Sequence, residues 1–176
     1  RRRPEGMERI RLGNAVFEGE NAVYLLDGDR TALVDTGVAT DAVRADLRAG
    51  LADHGVAVVD VDEVFLTHWH YDHAGLAGEI QAESGATVRI HEADAPLVAR
   101  ERDAVAALRR RRDERFEAWG MPEEKRRALR SFREEHGSLG GEPADVEPFA
   151  DGDTFDLGGV ELEAVHMPGH TAGLTG

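Results

Sequence analysis

The stretch THWHYDHAGL, Thr67 to Leu76, places His68, His70, Asp72 and His73 within six positions of a chain that has eight histidines in 176 residues. At this composition the pattern H-x-H-x-D-H has an expected count on the order of 10⁻³, so the cluster is not incidental. Imidazole and carboxylate together are ligands for divalent transition metals. The preceding run VDEVFL (61–66) reads as a buried strand, and AGLAGEIQAESG (74–85) as a short helix stopped by Gly85. Along an extended segment, residues two apart face the same side, so His68 and His70 can address one metal. The turn into the helix can then aim Asp72 and His73 at a second position, with Gly75 leaving room for it.

Outward from the cluster, NAVYLLDGDRTALVDTG (21–37) contains two apolar runs separated by DGDR, a hairpin signal. Residues 40–54 carry Val43, Leu47 and Leu51 at four-residue spacing between charges and stop at Gly55, an amphipathic surface helix. TVRI (87–90) is a strand. Helices follow over about 94–118 and from Pro122 to Gly137, then the linker GSLGGEP, and VELEAV (160–165) alternates as a strand with one wet face. This order predicts an α/β layered domain with its site beyond the strand ends.

Composition narrows the chemistry. The length suits one domain, and with no cysteine there is no disulfide, thiolate site or cysteine nucleophile. No run of roughly 18 apolar residues occurs, and RRRPEGMERIRLG lacks the apolar region of a signal peptide, so a cytoplasmic protein is expected. Residues 1–6 read as a leader or tag remnant before Met7. The net charge of −14 repels nucleic acid and anionic membranes. With Lys125 as the single lysine, this balance is also what a halophile or high-GC genome would produce. Residues 97–133 run the other way, with 12 basic and 7 acidic side chains. They read either as a solvated, salt-bridged helical pair or as a basic flap for an anionic substrate.

THWHYDHAGL resembles the metal-binding signature of the metallo-β-lactamase fold superfamily, as found in glyoxalase II, lactonases and related metallo-hydrolases. LVDTG (33–37) resembles the strand-end aspartate motif that precedes it, and MPGHTAG (167–173) the segment with the third histidine. The resemblance implies an αββα sandwich, here its first half and the start of the second. The helical insertion at about 91–140 is either a cap or a dimer interface. It implies that His68, His70 and His170 bind a first zinc, that Asp72 and His73 help to hold a second, and that Asp35 supports the metal loop. Thr67 and Thr171 either support the ligands through their hydroxyls or bond local backbone. Trp69 and Tyr71 alternate with the ligands and are expected to pack away from the metal. His54, His91, His136 and His166 lie off the pattern.

The activity so implied is that of a zinc-dependent hydrolase in which metal-held hydroxide attacks an ester or thioester carbonyl, Asp72 orienting it. The expected substrate is a small molecule, anionic where it rides on an acyl carrier as in glyoxalase II. Lactonase, phosphodiesterase or nuclease activity, or a non-catalytic metal-binding module, are the alternatives. Iron or manganese could replace zinc. The family's bridging aspartate and final histidine would lie beyond Gly176, so the second site is expected to be weak, an apolar sheet face uncovered, and the fragment poorly stable and nearly inactive.

Overall fold

The computed structural model describes residues 7–13 and 19–176; the leader at 1–6 lies outside the described residues. Six strands form one sheet in chain order: β1 (Met7–Gly13), β2 (Glu20–Asp27), β3 (Thr31–Val34), β4 (Glu63–Leu66), β5 (Thr87–His91) and β6 (Val146–Phe149). The β1–β2 and β2–β3 pairs are antiparallel, and β3 to β6 run parallel. The hairpin turn between β2 and β3 falls at the DGDR signal. Strands β1 and β6 are not among the expected strands: β1 buries only Ile10 and Leu12, and β6 is four residues long with Pro148 inside it.

The register explains the core. Leu25, Leu33, Val64 and Val88 stand side by side across four strands, and all four are 0% exposed. Helix α1 (Asp41–Asp53) lays Val43, Leu47 and Leu51 on this face, capped at its start by the Thr40 hydroxyl. Helix α3 (Ala77–Ser84) adds Ala77 and Ile80, and ends at Gly85, whose φ of 77° suits glycine. A single helical turn, α2 (Tyr71–Ala74), precedes α3, so the expected helix is in fact two pieces.

Because strand side chains alternate, the other face carries Ala32, Val34, Phe65 and Phe149. A two-stranded sheet, β7 (Thr154–Asp156) and β8 (Glu161–Glu163), covers them with Phe155, Leu157 and Leu162. The expected uncovered apolar face is corrected here: Ala32, Phe65 and Phe149 are all buried. Glu63, also on this face and 2% exposed, is held by Arg30 and by Arg89 at 2.7 Å.

The insertion is helical but not continuous. Helix α4 (Ala95–Val98) is separated from α5 (Arg102–Ala118) by Arg100, whose φ of 54° breaks the expected helix over 94–118. Pro122 stands just outside α6 (Glu123–Glu135) rather than at its first helical position. Neither α5 nor α6 buries a residue. Ion pairs lace them together, Arg130 with Asp113 at 2.7 Å and Arg126 with Glu117 at 3.1 Å, as expected of a solvated helical pair. No helix among the described residues is long and apolar enough to cross a membrane.

Candidate metal centre

Parallel strands put their C-terminal ends on one edge, and three consecutive strands each deliver residues of the site there. Strand β3 ends at Val34 and hands over Asp35; β4 ends at Leu66 and hands over Thr67 and His68; β5 ends at His91, three residues before Asp94. His170 arrives from the loop after β8, whose Thr175 amide donates to the Thr67 carbonyl at 3.0 Å.

His68, His70 and His170 come together with one ligand nitrogen each, all within 4.8 Å of one another. His70 Nδ1 and His170 Nε2 lie 2.9 Å apart, near the ~3.3 Å expected of two nitrogens bound tetrahedrally to one ion at ~2.05 Å. His68 is 3% exposed, and its buried Nε2 has no hydrogen-bond partner. A buried ring nitrogen left bare costs free energy unless something binds it. The donor set therefore fits a divalent metal.

The ring orientations are set from behind by Asp35. Its Oδ1 accepts from the Thr67 amide at 2.8 Å and its Oδ2 from the Thr67 hydroxyl at 2.9 Å. With its proton committed to a carboxylate, which can only accept, the Thr67 oxygen is the acceptor for His68 Nδ1–H at 3.0 Å. The lone pair of His68 is thereby left on the buried Nε2, in a ring whose centroid lies 4.8 Å from that of His70 and 4.9 Å from that of His170. Asp35 Oδ2 likewise accepts from His73 Nδ1 at 2.8 Å, turning Nε2 toward Asp72 Oδ2 at 3.4 Å. Asp35 adopts a φ of 64°, a conformation aspartate tolerates better than most residues.

Burial and charge divide the histidines. Burial, reinforced by its three histidine neighbours, pulls the His68 imidazolium down to about 3. Burial and His170 also lower His70. For His73 burial again acts downward, but the hydrogen bonds and charges of Asp35 and Asp72 outweigh it and raise the group to about 9. Burial would raise Asp72, yet the hydrogen bonds from His73 and Asn21 hold it well below the usual carboxylate range. Neutral rings at His68 and His70 are in the protonation state a metal requires.

Two residues of the site carry no local sequence signal. Asn21, at the start of β2, donates to the Asp72 carbonyl at 2.8 Å and to Asp72 Oδ2 at 3.2 Å. Asp94, 1% exposed, accepts from the Thr171 hydroxyl at 2.6 Å, so Thr171 bonds this carboxylate rather than local backbone. Each partner lies dozens of residues away, beyond the reach of a spacing argument. Trp69 packs against the core, whereas Tyr71 is 37% exposed. His91 and His166 stack on each other with ring centroids 4.0 Å apart, outside the three-histidine group. Asn21, Tyr24, Asp72, His73, Leu174 and Thr175 border an open cleft beside the histidines.

The fold and the site define a metal-binding α/β protein, and comparison with known proteins gives it a family. The model of the metallo-beta-lactamase superfamily matches residues 16–175, and the chain belongs to that superfamily. Among solved structures, a metallo-beta-lactamase family protein from Thermus thermophilus superposes with a TM-score of 0.77 at 31% identity, covering 97% of this chain and 54% of that one. BJP-1, a subclass B3 metallo-beta-lactamase of Bradyrhizobium japonicum, shares the fold with a TM-score of 0.64 at 21% identity, over 97% of this chain and 52% of that one. The probable metallo-hydrolase YqjP of Bacillus subtilis is 39% identical over 72 residues, 41% of this chain and 23% of that protein. Metallo-beta-lactamase domain-containing protein 1 of Xenopus laevis is 41% identical over 64 residues, 36% of this chain and 27% of that protein. The chain spans about half the length of the solved structures, and its matches span about a quarter of the length of these two relatives.

Proposed function

We propose that this chain is the metal-binding portion of a zinc-dependent hydrolase that cleaves an ester or thioester carbonyl on an anionic acyl carrier, as glyoxalase II does. The observation that carries the reading is the bare, buried Nε2 of His68 in a ring grouped with those of His70 and His170, whose Nδ1 and Nε2 lie 2.9 Å apart. Zinc held by such a triad supplies Lewis acidity and lowers the pKa of a bound water from 15.7 to about 7. The chain's own residues then divide the labour. His68, His70 and His170 would hold the first ion, and Asp72 and His73 would contribute to a second, His73 giving up the proton that Asp35 and Asp72 favour in the metal-free protein. Asp72, kept ionised by His73 and Asn21, orients the attacking water by accepting one of its hydrogen bonds. Asp35 and Thr67 fix the imidazoles of His73 and His68, so that neither must reorient during the reaction.

The anionic carrier is supported by the insertion, proposed as a cap. Arg112 is half-buried on α5; burial first, then the charges of Arg133 and Arg109, disfavour its own charge, while Tyr71 of the metal loop acts the other way. Positive charge disfavoured by burial thus lies beside the metal loop, where a carboxylate or phosphate of a substrate would relieve it.

The test is hydrolysis by the zinc-loaded full-length protein of a panel containing acyl-glutathione, acyl-coenzyme A, a neutral ester, a lactone and a phosphodiester. Preference for the anionic thioesters over the neutral ester by tenfold or more is expected, with Arg112→Ala raising KM for the thioesters alone. Equal rates on all carbonyl substrates would remove the carrier, and cleavage confined to the phosphodiester would remove the reaction class.

A further inference from the structure

Asp94 is a buried carboxylate whose charge reaches His70, yet its hydrogen bonds are spent on the loop that carries His170. It flanks the start of α4, where an aspartate ordinarily caps the helix, but it makes no side-chain cap. Instead Oδ2 accepts from the Thr171 hydroxyl at 2.6 Å and Oδ1 from the Gly173 amide at 2.9 Å. Gly173 passes so close that a Cβ there would lie 2.8 Å from Asp94 Cγ. Thr171 is buried while His170, its neighbour, is exposed.

The rest of that loop is bonded largely to itself. Met167 donates to the Leu174 carbonyl at 2.8 Å, Gly169 to that of Thr171 at 3.0 Å, and His166 Nε2 contacts the Ala172 carbonyl at 2.8 Å. Such bonds shape the loop but do not place it. Placement relative to His68 and His70 comes from the Thr175 to Thr67 backbone bond, from the His91–His166 stack and the His166 amide bond to Asp151 at the loop's start, and, nearest His170, from the two bonds to Asp94, which stands just beyond the end of the neighbouring strand. From the buried carboxylate and its two bonds to this loop, we infer that Asp94 is a positioning residue that sets His170 at the distance from His68 and His70 that metal binding requires.

The inference rests on the three-histidine site. A hydrogen-bonding partner behind a ligand typically changes metal affinity by about 10–100-fold, and both bonds to the His170 loop are charge-assisted. Zinc affinity of the full-length protein is measured by competition with a chromophoric chelator, and ligand geometry by the visible spectrum of the cobalt-loaded protein. Asp94→Ala and Thr171→Val are each expected to weaken zinc binding tenfold or more and to alter the cobalt bands, while Thr171→Ser, which keeps the hydroxyl, retains parental values. Should Asp94→Ala fail to fold, the Thr171→Val and Thr171→Ser pair decides alone. Parental affinity and an unchanged cobalt spectrum in Thr171→Val would overturn the inference, even if its melting temperature fell. A parent protein that binds no zinc would overturn the three-histidine site, and this inference with it.

Discussion

Asp35 accepts a hydrogen bond from His73 Nδ1 at 2.8 Å while the same carboxylate holds the Thr67 hydroxyl that orients His68. One side chain thereby sets the tautomer of His68 in the three-histidine group and that of His73 beside it. Asp35→Asn keeps a residue type that tolerates the 64° φ but removes a full acceptor charge. Zinc affinity is expected to fall about 10–100-fold, and the melting temperature to fall as well, because both Asp35 oxygens accept from donors and the asparagine NH2 would face one of them; chelator competition and thermal denaturation of the same samples check this.

The His73 pair also makes the metal-free protein sensitive to pH. The folded-state value of His73, about 9, lies above its ordinary 6.5, so folding favours the protonated ring. Its stabilisation is complete below about pH 6.5, where both states are protonated, and is lost as pH rises through about 9. The difference in unfolding free energy between the parent and His73→Gln, measured in urea with chelator present, is therefore expected to shrink between pH 6.5 and 9.5. A difference that grows over that interval would contradict the Asp35 and Asp72 contacts as its source.

Glu63 is buried on the sheet face under β7 and β8, with Arg30 and Arg89 as its partners. Removing Arg89 leaves the buried Glu63 carboxylate with Arg30 alone and one oxygen without its charge-assisted hydrogen bond. Arg89→Met is expected to destabilise the fold by about 3 kcal/mol, read from denaturant midpoints at unchanged slope. Arg11→Met, whose pair with Glu20 is 3.8 Å long and exposed, should cost less than about 1 kcal/mol.

Gly75 makes a different demand from a turn glycine. Its φ is −60°, open to any residue, but a Cβ would lie 2.5 Å from the Tyr71 carbonyl oxygen, 2.7 Å from that of Gly37 and 2.8 Å from the Ala39 amide. Those atoms are backbone and cannot swing away. Gly75→Ala is expected to cost about 1–3 kcal/mol and to weaken metal binding, because α2 carries Asp72 and His73. Thermal melts and zinc titration report the two effects separately.

Local pattern made much of this legible. His68 and His70 alternate on extended chain, and Val43, Leu47 and Leu51 recur at helical spacing. The run from DGDR to DTG marks a hairpin and its strand end, and the three motifs together point to the metallo-β-lactamase superfamily. What stayed hidden depends on partners far away in sequence. Strand β6 is identified by pairing with β5, not by its own residues VEPF. The break at Arg100 belongs to a helical composition with no glycine or proline to announce it, and its guanidinium bonds the Gly141 carbonyl. Covering of Phe65 and Phe149 likewise required β7 and β8 to fold back across the sheet.

The sequence by itself determined the ligand types, the α/β order and the family, because period-two and helical patterns and a dense histidine cluster are properties of neighbouring residues. Only the tertiary structure decided which oxygen faces which nitrogen. Parallel pairing of β3, β4 and β5 brings Asp35, Thr67 and Asp94 to one edge of the sheet. There the free energy of buried hydrogen bonds, rather than any local preference, selects Asn21 for Asp72 and Asp94 for the loop of His170.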